Sequence, residues 1–343
     1  MKELNARKRI EYIDAMRGFT MFLVVLGHCA FFMLPPIDSV YLDMFQSFRM
    51  PLFFFVSGFV FYKAARVWNM ATIREFFAKK IFVQIISPLL FFFLYLYTFD
   101  QPLLESLFDE QKQGYWFTFA LFEYFIMYIL SCKLSDIFHF SSKGHDILLL
   151  VISILIITLL NHHITSRLPQ AFNLFGVVHL NYFIYFVFGT LVRKYFVKFE
   201  KILDDSSLML FTIVIFVLLN VFREHLMIPG VNLLTRLILG ITGIIIVFAF
   251  FRVYQDKFVG ENRLGKVMQF VGRRTLDIYL LHYFVLPWGI TRIPEFLTNT
   301  PLMSLFTASV IAILVICVCL LISSVLRLHP LLAHYLFGAK KYK

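Results

Sequence analysis

Long apolar runs separated by short polar stretches set the pattern of this chain. A bilayer core about 30 Å thick takes roughly 20 apolar residues per helix. Runs of that kind fall near 13–33, 42–62, 76–97, 115–135, 146–161, 174–193, 206–222, 230–252, 273–290 and 302–326. The pattern predicts an all-α fold, a polytopic membrane bundle of about ten transmembrane helices. The fifth and seventh runs are short, so their ends are the least defined. No internal repeat, low-complexity tract or long linker divides the chain. Residues 1–343 read as one membrane domain, with a short N-terminal segment, 1–12, and a C-terminal tail, 327–343.

Composition changes the picture only by excluding a soluble class. Apolar residues make up 60% of the chain and charged residues 15%, against about 45–50% and 25% in soluble domains. Lys2, Arg7, Lys8 and Arg9 before the first run suggest a secretory signal. Arg17 interrupts that run, however, His28 sits inside it, and no small-residue cleavage site follows, which predicts a retained helix. Cys29, Cys132, Cys317 and Cys319 lie in or beside apolar runs without a CxxC pair or metal-ligand spacing. They read as packing residues, with no metal site.

Charge supplies the orientation. With the first helix starting inside, the inner segments hold 25 of the 32 Lys and Arg residues and the outer loops 5. Arg17 and Arg49, at helix ends, complete the set. That asymmetry fits the positive-inside rule with an even number of spans. It predicts a multi-pass protein of the plasma (inner) membrane with both termini cytoplasmic. The net charge of +11 then belongs to the inner face, where anionic lipid is partner enough. No nucleic-acid motif accompanies it. The longest outer loop, about 98–114, is acidic through Asp100, Glu105, Asp109 and Glu110.

Ionisable side chains inside hydrocarbon cost about 2.5–3.5 kcal/mol on insertion scales, so those present are candidates for function. They are Arg17, His28, Arg49, Glu123, Asp277 and His282. Arg17 and His28 are eleven residues apart, three turns plus roughly 20°, which puts them on one helix face about 16 Å apart. A charged anchor at one end and an imidazole at the other suit a long ligand threaded through the bundle. An Arg reaching lipid phosphate and a His capping a polar cluster is the alternative reading. Glu123, among aromatic residues, suits proton exchange or an ion pair with Arg49 or His28. His282 suits a pocket or a plain interhelical hydrogen bond, and Asp277 lies where Arg273 or Arg274 can pair with it. Tyr182 reads as pocket lining or packing, and His162 and His163 as solvated loop residues. No Walker A loop, GxGxxG, HExxH or GxSxG motif occurs.

Three segments carry a resemblance. Arg17-Gly18 with His28 matches the R-x10-H spacing of the first helix of the membrane acyltransferase-3 family. Phe48-Arg49-Met50-Pro51-Leu52-Phe53-Phe54-Phe55-Val56-Ser57-Gly58-Phe59 resembles its second helix. Gly272-Arg273-Arg274-Thr275-Leu276-Asp277-Ile278-Tyr279-Leu280-Leu281-His282 resembles a late segment of the same family. The resemblance runs through the chain in order, and is to single-domain, fucose 4-O-acetylase-like members. It implies transfer of an acyl group, usually acetyl, from cytoplasmic acetyl-CoA to a hydroxyl of a glycan or lipid-linked sugar. The family's R-x-x-R motif after the second helix is imperfect here, the nearest matches being Lys63-x-x-Arg66 and Lys79-Lys80.

Family and residues together give an expected site. Arg17, Lys63, Arg66, Lys79, Lys80, Arg273 and Arg274 suit the CoA phosphates through charge-assisted hydrogen bonds. His28 acts as general base on the acceptor hydroxyl or takes the acyl group itself. Arg49 polarises the thioester carbonyl. Glu123 orients His28 or binds the acceptor, with Tyr182 and His282 also on the acceptor. A proton-coupled transporter or flippase of a sugar-containing substrate is the rival reading, since the same intramembrane groups suit it. Against that rival, the chain has no inverted repeat.

Overall fold

The protein is described by a computed structural model over residues 10–34, 40–160, 173–174, 176–226, 228, 230–260, 262–286 and 293–339. Lys2, Arg7, Lys8, Arg9, His162, His163 and the 287–290 end of the ninth run lie outside the described residues. In chain order the helices are α1 (Glu11–Met33), α2 (Val40–Phe61), α3 (Met70–Ile81), α4 (Ser87–Thr98), α5 (Leu103–Phe108), α6 (Trp116–Ile137), α7 (Ser142–Leu159) and α8 (Phe183–Lys194). They continue with α9 (Phe196–Leu203), α10 (Ser206–Val221), α11 (Val231–Val253), α12 (Gln255–Phe258), α13 (Arg263–Arg273), α14 (Thr275–Val285), α15 (Pro301–Leu326) and α16 (Pro330–Phe337). Among the described residues there is no strand.

Polar side chains start several of these helices by accepting otherwise unpaired backbone N–H groups. Asn69 caps α3 through Thr72 N, Ser141 caps α7 through Gly144 N, and Asp205 and Asn262 cap α10 and α13. A π-turn over Phe82–Ile86 joins α3 to α4, immediately ahead of Pro88, whose ring nitrogen cannot donate to the preceding turn.

Seven helical stretches among the described residues are long and apolar enough to cross a membrane: Glu11–Met33, Tyr41–Phe61, Met70–Thr98, Trp116–Ile137, Ser142–Leu159, Val231–Val253 and Pro301–Leu326. Phe196–Leu203 with Ser206–Val221, bent by 78°, makes an eighth if the pair is one span. The fold is thus an all-α polytopic bundle. Two apolar runs take a more broken form than their composition suggests. The run at 174–193 opens with a 3-10 helix, Val177–Tyr182, before α8, and the run at 273–290 enters α14 through a non-helical Arg274 (φ −109°, ψ 17°).

The chain forms two compact units. The first comprises residues 1–64 and 192–322, the second 65–191 and 323–343. In the first, α1 is the central helix, packed on α13, α2, α11 and α14. Glycines set the closest crossings. A Cβ on Gly18 would run into the Met268 carbonyl, and one on Gly272 into the Asp14 carbonyl. These two backbones touch where any side chain would hold them apart. Phe248 of α11 gathers Tyr12, Phe55, Phe59 and Phe199 around it at ring separations of 5.6–6.2 Å. In the second unit, α6 supplies Tyr124 and Phe125, which pack on Phe183 and Phe186. There His334 of α16 stacks on Phe82 at 4.8 Å.

Candidate active site

The α1–α13 crossing fixes where α1 meets the next helix. Arg17, beside Gly18, directs Nη2 to Thr275 Oγ1 (3.3 Å), at the first residue of α14. Further along α1, His28 meets Tyr283 near the other end of α14, with Tyr283 Oη 3.1 Å from His28 Nε2. Arg17 and His28 therefore both face α14, as their spacing of three turns requires.

His28 is half-buried. Around it lie the rings of Tyr283 (5.0 Å between centroids), His282 (5.2 Å) and Phe32 (5.9 Å). Arg49 of α2 reaches the same place. Its guanidinium lies over the Cα of Gly27, so that a Cβ there would collide with Nη1 and come within 2.7 Å of Cζ. The glycine before His28 is thus the notch that admits a cation beside the imidazole. His282 itself is 0% exposed. Its Nδ1 donates to the carbonyl oxygens of Tyr279 (2.8 Å) and Ile278 (3.1 Å). A carbonyl only accepts, so Nδ1 carries the hydrogen and Nε2 is the lone-pair atom of the neutral ring.

Two guanidiniums nearer the α13–α14 junction have carboxylate partners. Arg17 Nη1 lies 3.5 Å from Asp14 Oδ1, and Arg274 Nη1 lies 3.1 Å from Asp277 Oδ2. Both carboxylates are buried, and the second pair is one of the two anticipated for Asp277. Arg273 is exposed and reaches Gln269 Oε1 at 3.4 Å. Lys63, on the loop after α2, is exposed.

The second unit holds the other predicted residues. Arg66 places its guanidinium 5.1 Å from the Trp68 ring and 5.4 Å from that of Phe76. Lys80 lies 4.7 Å from the Phe125 ring, whereas its neighbour Lys79 pairs with Glu75 on an exposed face. Adjacent lysines point about 100° apart on a helix, and here the two have different neighbours. Glu123, seven residues into α6, packs against Gly176, where a Cβ would sit 3.4 Å from Oε1. Its Oε2 is buried without a hydrogen-bond partner among the described residues. Trp116 stacks on His179 (3.8 Å, 20°) and flanks Tyr182 (6.0 Å, 28°). In the loop before α6, buried Lys112 donates to the carbonyls of Leu107 (3.1 Å) and Asn173 (2.7 Å). Burial pushes its ammonium below the usual lysine range.

The sequence thus named His28, Arg49 and His282, and the first unit brings all three together. Sequence reasoning missed Gly27 and Tyr283. Tyr283 follows His282 directly, but nothing in the pattern says that both rings reach His28. Gly27 carries no chemistry of its own, and only its neighbour's bulk reveals it. Among the described residues, no group of three or more His, Cys, Asp or Glu side chains could hold a metal ion.

A neutral-capable imidazole with a hydroxyl on one nitrogen and a guanidinium alongside is equipped to move a proton and steady a developing anion. The family model described as an acyltransferase domain matches residues 10–324. The chain belongs to the membrane acyltransferase-3 family, and is a membrane acyltransferase. No curated protein and no solved structure matches it.

Proposed function

We propose that this acyltransferase transfers acetyl from cytoplasmic acetyl-CoA to a hydroxyl of a glycan or lipid-linked sugar, with His28 as general base. The observation that carries the proposal is the convergence at His28, where Tyr283 Oη lies 3.1 Å from Nε2 and Arg49 rests in the Gly27 notch. The acceptor O–H gives its proton to His28 as its oxygen attacks the thioester carbonyl. The new C–O bond forms, the C–S bond breaks, and the thiolate of CoA takes the proton from His28. Arg49 steadies the negative oxygen formed between these steps.

The donor enters from the cytoplasmic side, on which we place both termini in the plasma (inner) membrane; the 25-to-5 distribution of basic residues supports that side. Arg17, Lys63, Arg66, Lys79, Lys80, Arg273 and Arg274 are the cations assigned to the CoA phosphates by charge. Glu123 and Tyr182 have chemistry suited to acceptor hydroxyls: a carboxylate oxygen unpartnered among the described residues, and a phenol beside Trp116.

Purified protein incubated with labelled acetyl-CoA tests the proposal. Release of CoA, with label appearing as an ester on the glycan acceptor, is expected. Uptake of the sugar substrate into vesicles without CoA release would identify a transporter instead.

A further inference from the structure

His282 is sealed behind the half-buried His28, at 0% exposure. Two backbone carbonyls, those of Ile278 and Tyr279, hold its Nδ1–H and so fix both the tautomer and the ring plane. The consequence falls on the other nitrogen. Nε2 carries a lone pair, is buried, and has no hydrogen-bond partner among the described residues. A bare acceptor in a buried position is costly unless something uses it. The ring centroids of His28 and His282 are 5.2 Å apart with planes at 35°, within reach of a modest turn of His28 about its broad terminal torsion.

Resting on the acyl-transfer reading, we infer that His282 is a positioning residue for His28, its Nε2 accepting an N–H of His28 once His28 has taken the acceptor proton. Charged His28 has two N–H groups: the one at Nε2, beside Tyr283 Oη, exchanges the transferred proton with the acceptor and the thiolate, and the one at Nδ1 needs a standing acceptor. In water the Nδ1–H would be solvated. Here the cation is flanked by the Arg49 guanidinium, which offers no acceptor. The lone pair of His282 meets that need without a net charge of its own. A carboxylate in this position would form an ion pair with Arg49; an imidazole is a weaker competitor for the guanidinium. His282 does not touch the reacting atoms and gains or loses no proton in the cycle. It holds the charged form of His28 while the C–S bond breaks and the thiolate recovers the proton.

Two substitutions separate this role from a structural one, because a histidine's nitrogens have different amide mimics. In His282→Gln the side-chain amide carbonyl falls near the place of Nε2 and keeps an acceptor there. In His282→Asn the amide NH2 falls near Nδ1 and keeps the donor to Ile278 and Tyr279. Steady-state CoA release from acetyl-CoA is measured for both, with donor KM and kcat separated. The expected result is a kcat for His282→Asn about 10- to 100-fold below wild type, the factor carried by a lost charge-assisted hydrogen bond. His282→Gln stays at least tenfold faster than His282→Asn, and donor KM is unchanged in both. If His282→Gln turns over no faster than His282→Asn in an active wild-type background, the inference is overturned. Wild-type protein that releases no CoA at all defeats the acyl-transfer reading, and this inference with it.

Discussion

Tyr283 touches His28 through its hydroxyl and through its ring, and a Tyr283→Phe variant separates the two contacts. The ring stays, at 5.0 Å from the imidazole, while the 3.1 Å hydrogen bond goes. A net hydrogen bond is worth about 0.5–1.5 kcal/mol, so kcat for acyl transfer should fall about 2- to 10-fold with donor KM unchanged. An unaltered kcat would show that the hydroxyl does not orient His28. Gly27→Ala should act more strongly. Its methyl occupies the position of the Arg49 guanidinium, and loss of a well-placed donor to a developing oxyanion costs about 100- to 1,000-fold in kcat. The thermal midpoint should move far less than the rate, because alanine favours the helix over glycine by about 1 kcal/mol. At this scale the sequence was informative about what is chemically unusual and silent about what is close. His28, Arg49 and His282 stand out because each is polar where hydrocarbon is expected. Gly27 and Tyr283 do not, because glycine and tyrosine are ordinary in apolar helices, and only the packing reveals their contacts.

The α1–α13 crossing carries the site from one helix to the next. Gly272 lets α13 lie on the Asp14 carbonyl of α1, and the junction that follows delivers Thr275 to Arg17 and Tyr283 to His28. Gly272→Ala overlaps backbone rather than a flexible side-chain tip. It should cost about 1–3 kcal/mol as overpacking does, visible as a lower thermal midpoint in detergent together with reduced activity. A variant as stable as wild type would mean that the two backbones are not held this closely. Element ends were legible where a long run met a polar loop. The runs 13–33, 115–135 and 302–326 correspond to Glu11–Met33, Trp116–Ile137 and Pro301–Leu326. Breaks inside apolar sequence were not legible. The 3-10 turn Val177–Tyr182 keeps the apolar composition of a helix while leaving its geometry. Arg274 is polar enough to mark a boundary, yet the run at 273–290 takes it in, because the break between α13 and α14 is a single non-helical residue.

Basic residues are unevenly distributed along the chain, and that distribution makes a prediction about sidedness. Under the proposed orientation, the loop before α5 faces outward and the start of α7 faces the cytoplasm. A membrane-impermeant thiol reagent should label Gln101→Cys in intact cells, and Ser142→Cys only after permeabilisation. The reverse pattern would place the donor and acceptor sides the wrong way round. At this scale the apolar content and the charge asymmetry were both open to reading from the sequence. The division into two units was not, because each is assembled from separated stretches of chain, and no composition shift marks the points where the chain passes from one to the other.

The central claim is that His28 moves the proton during acyl transfer, and His28→Ala tests it most directly. Purified wild-type and variant proteins are compared for acetyl-CoA-dependent ester formation on the glycan acceptor, after binding of a non-hydrolysable acetyl-CoA analogue has confirmed that the variant is folded. General-base participation typically contributes 100- to 10,000-fold, so ester formation should fall by about that factor while analogue binding is retained. A folded His28→Ala protein that binds the analogue and transfers acetyl at the wild-type rate would contradict the account.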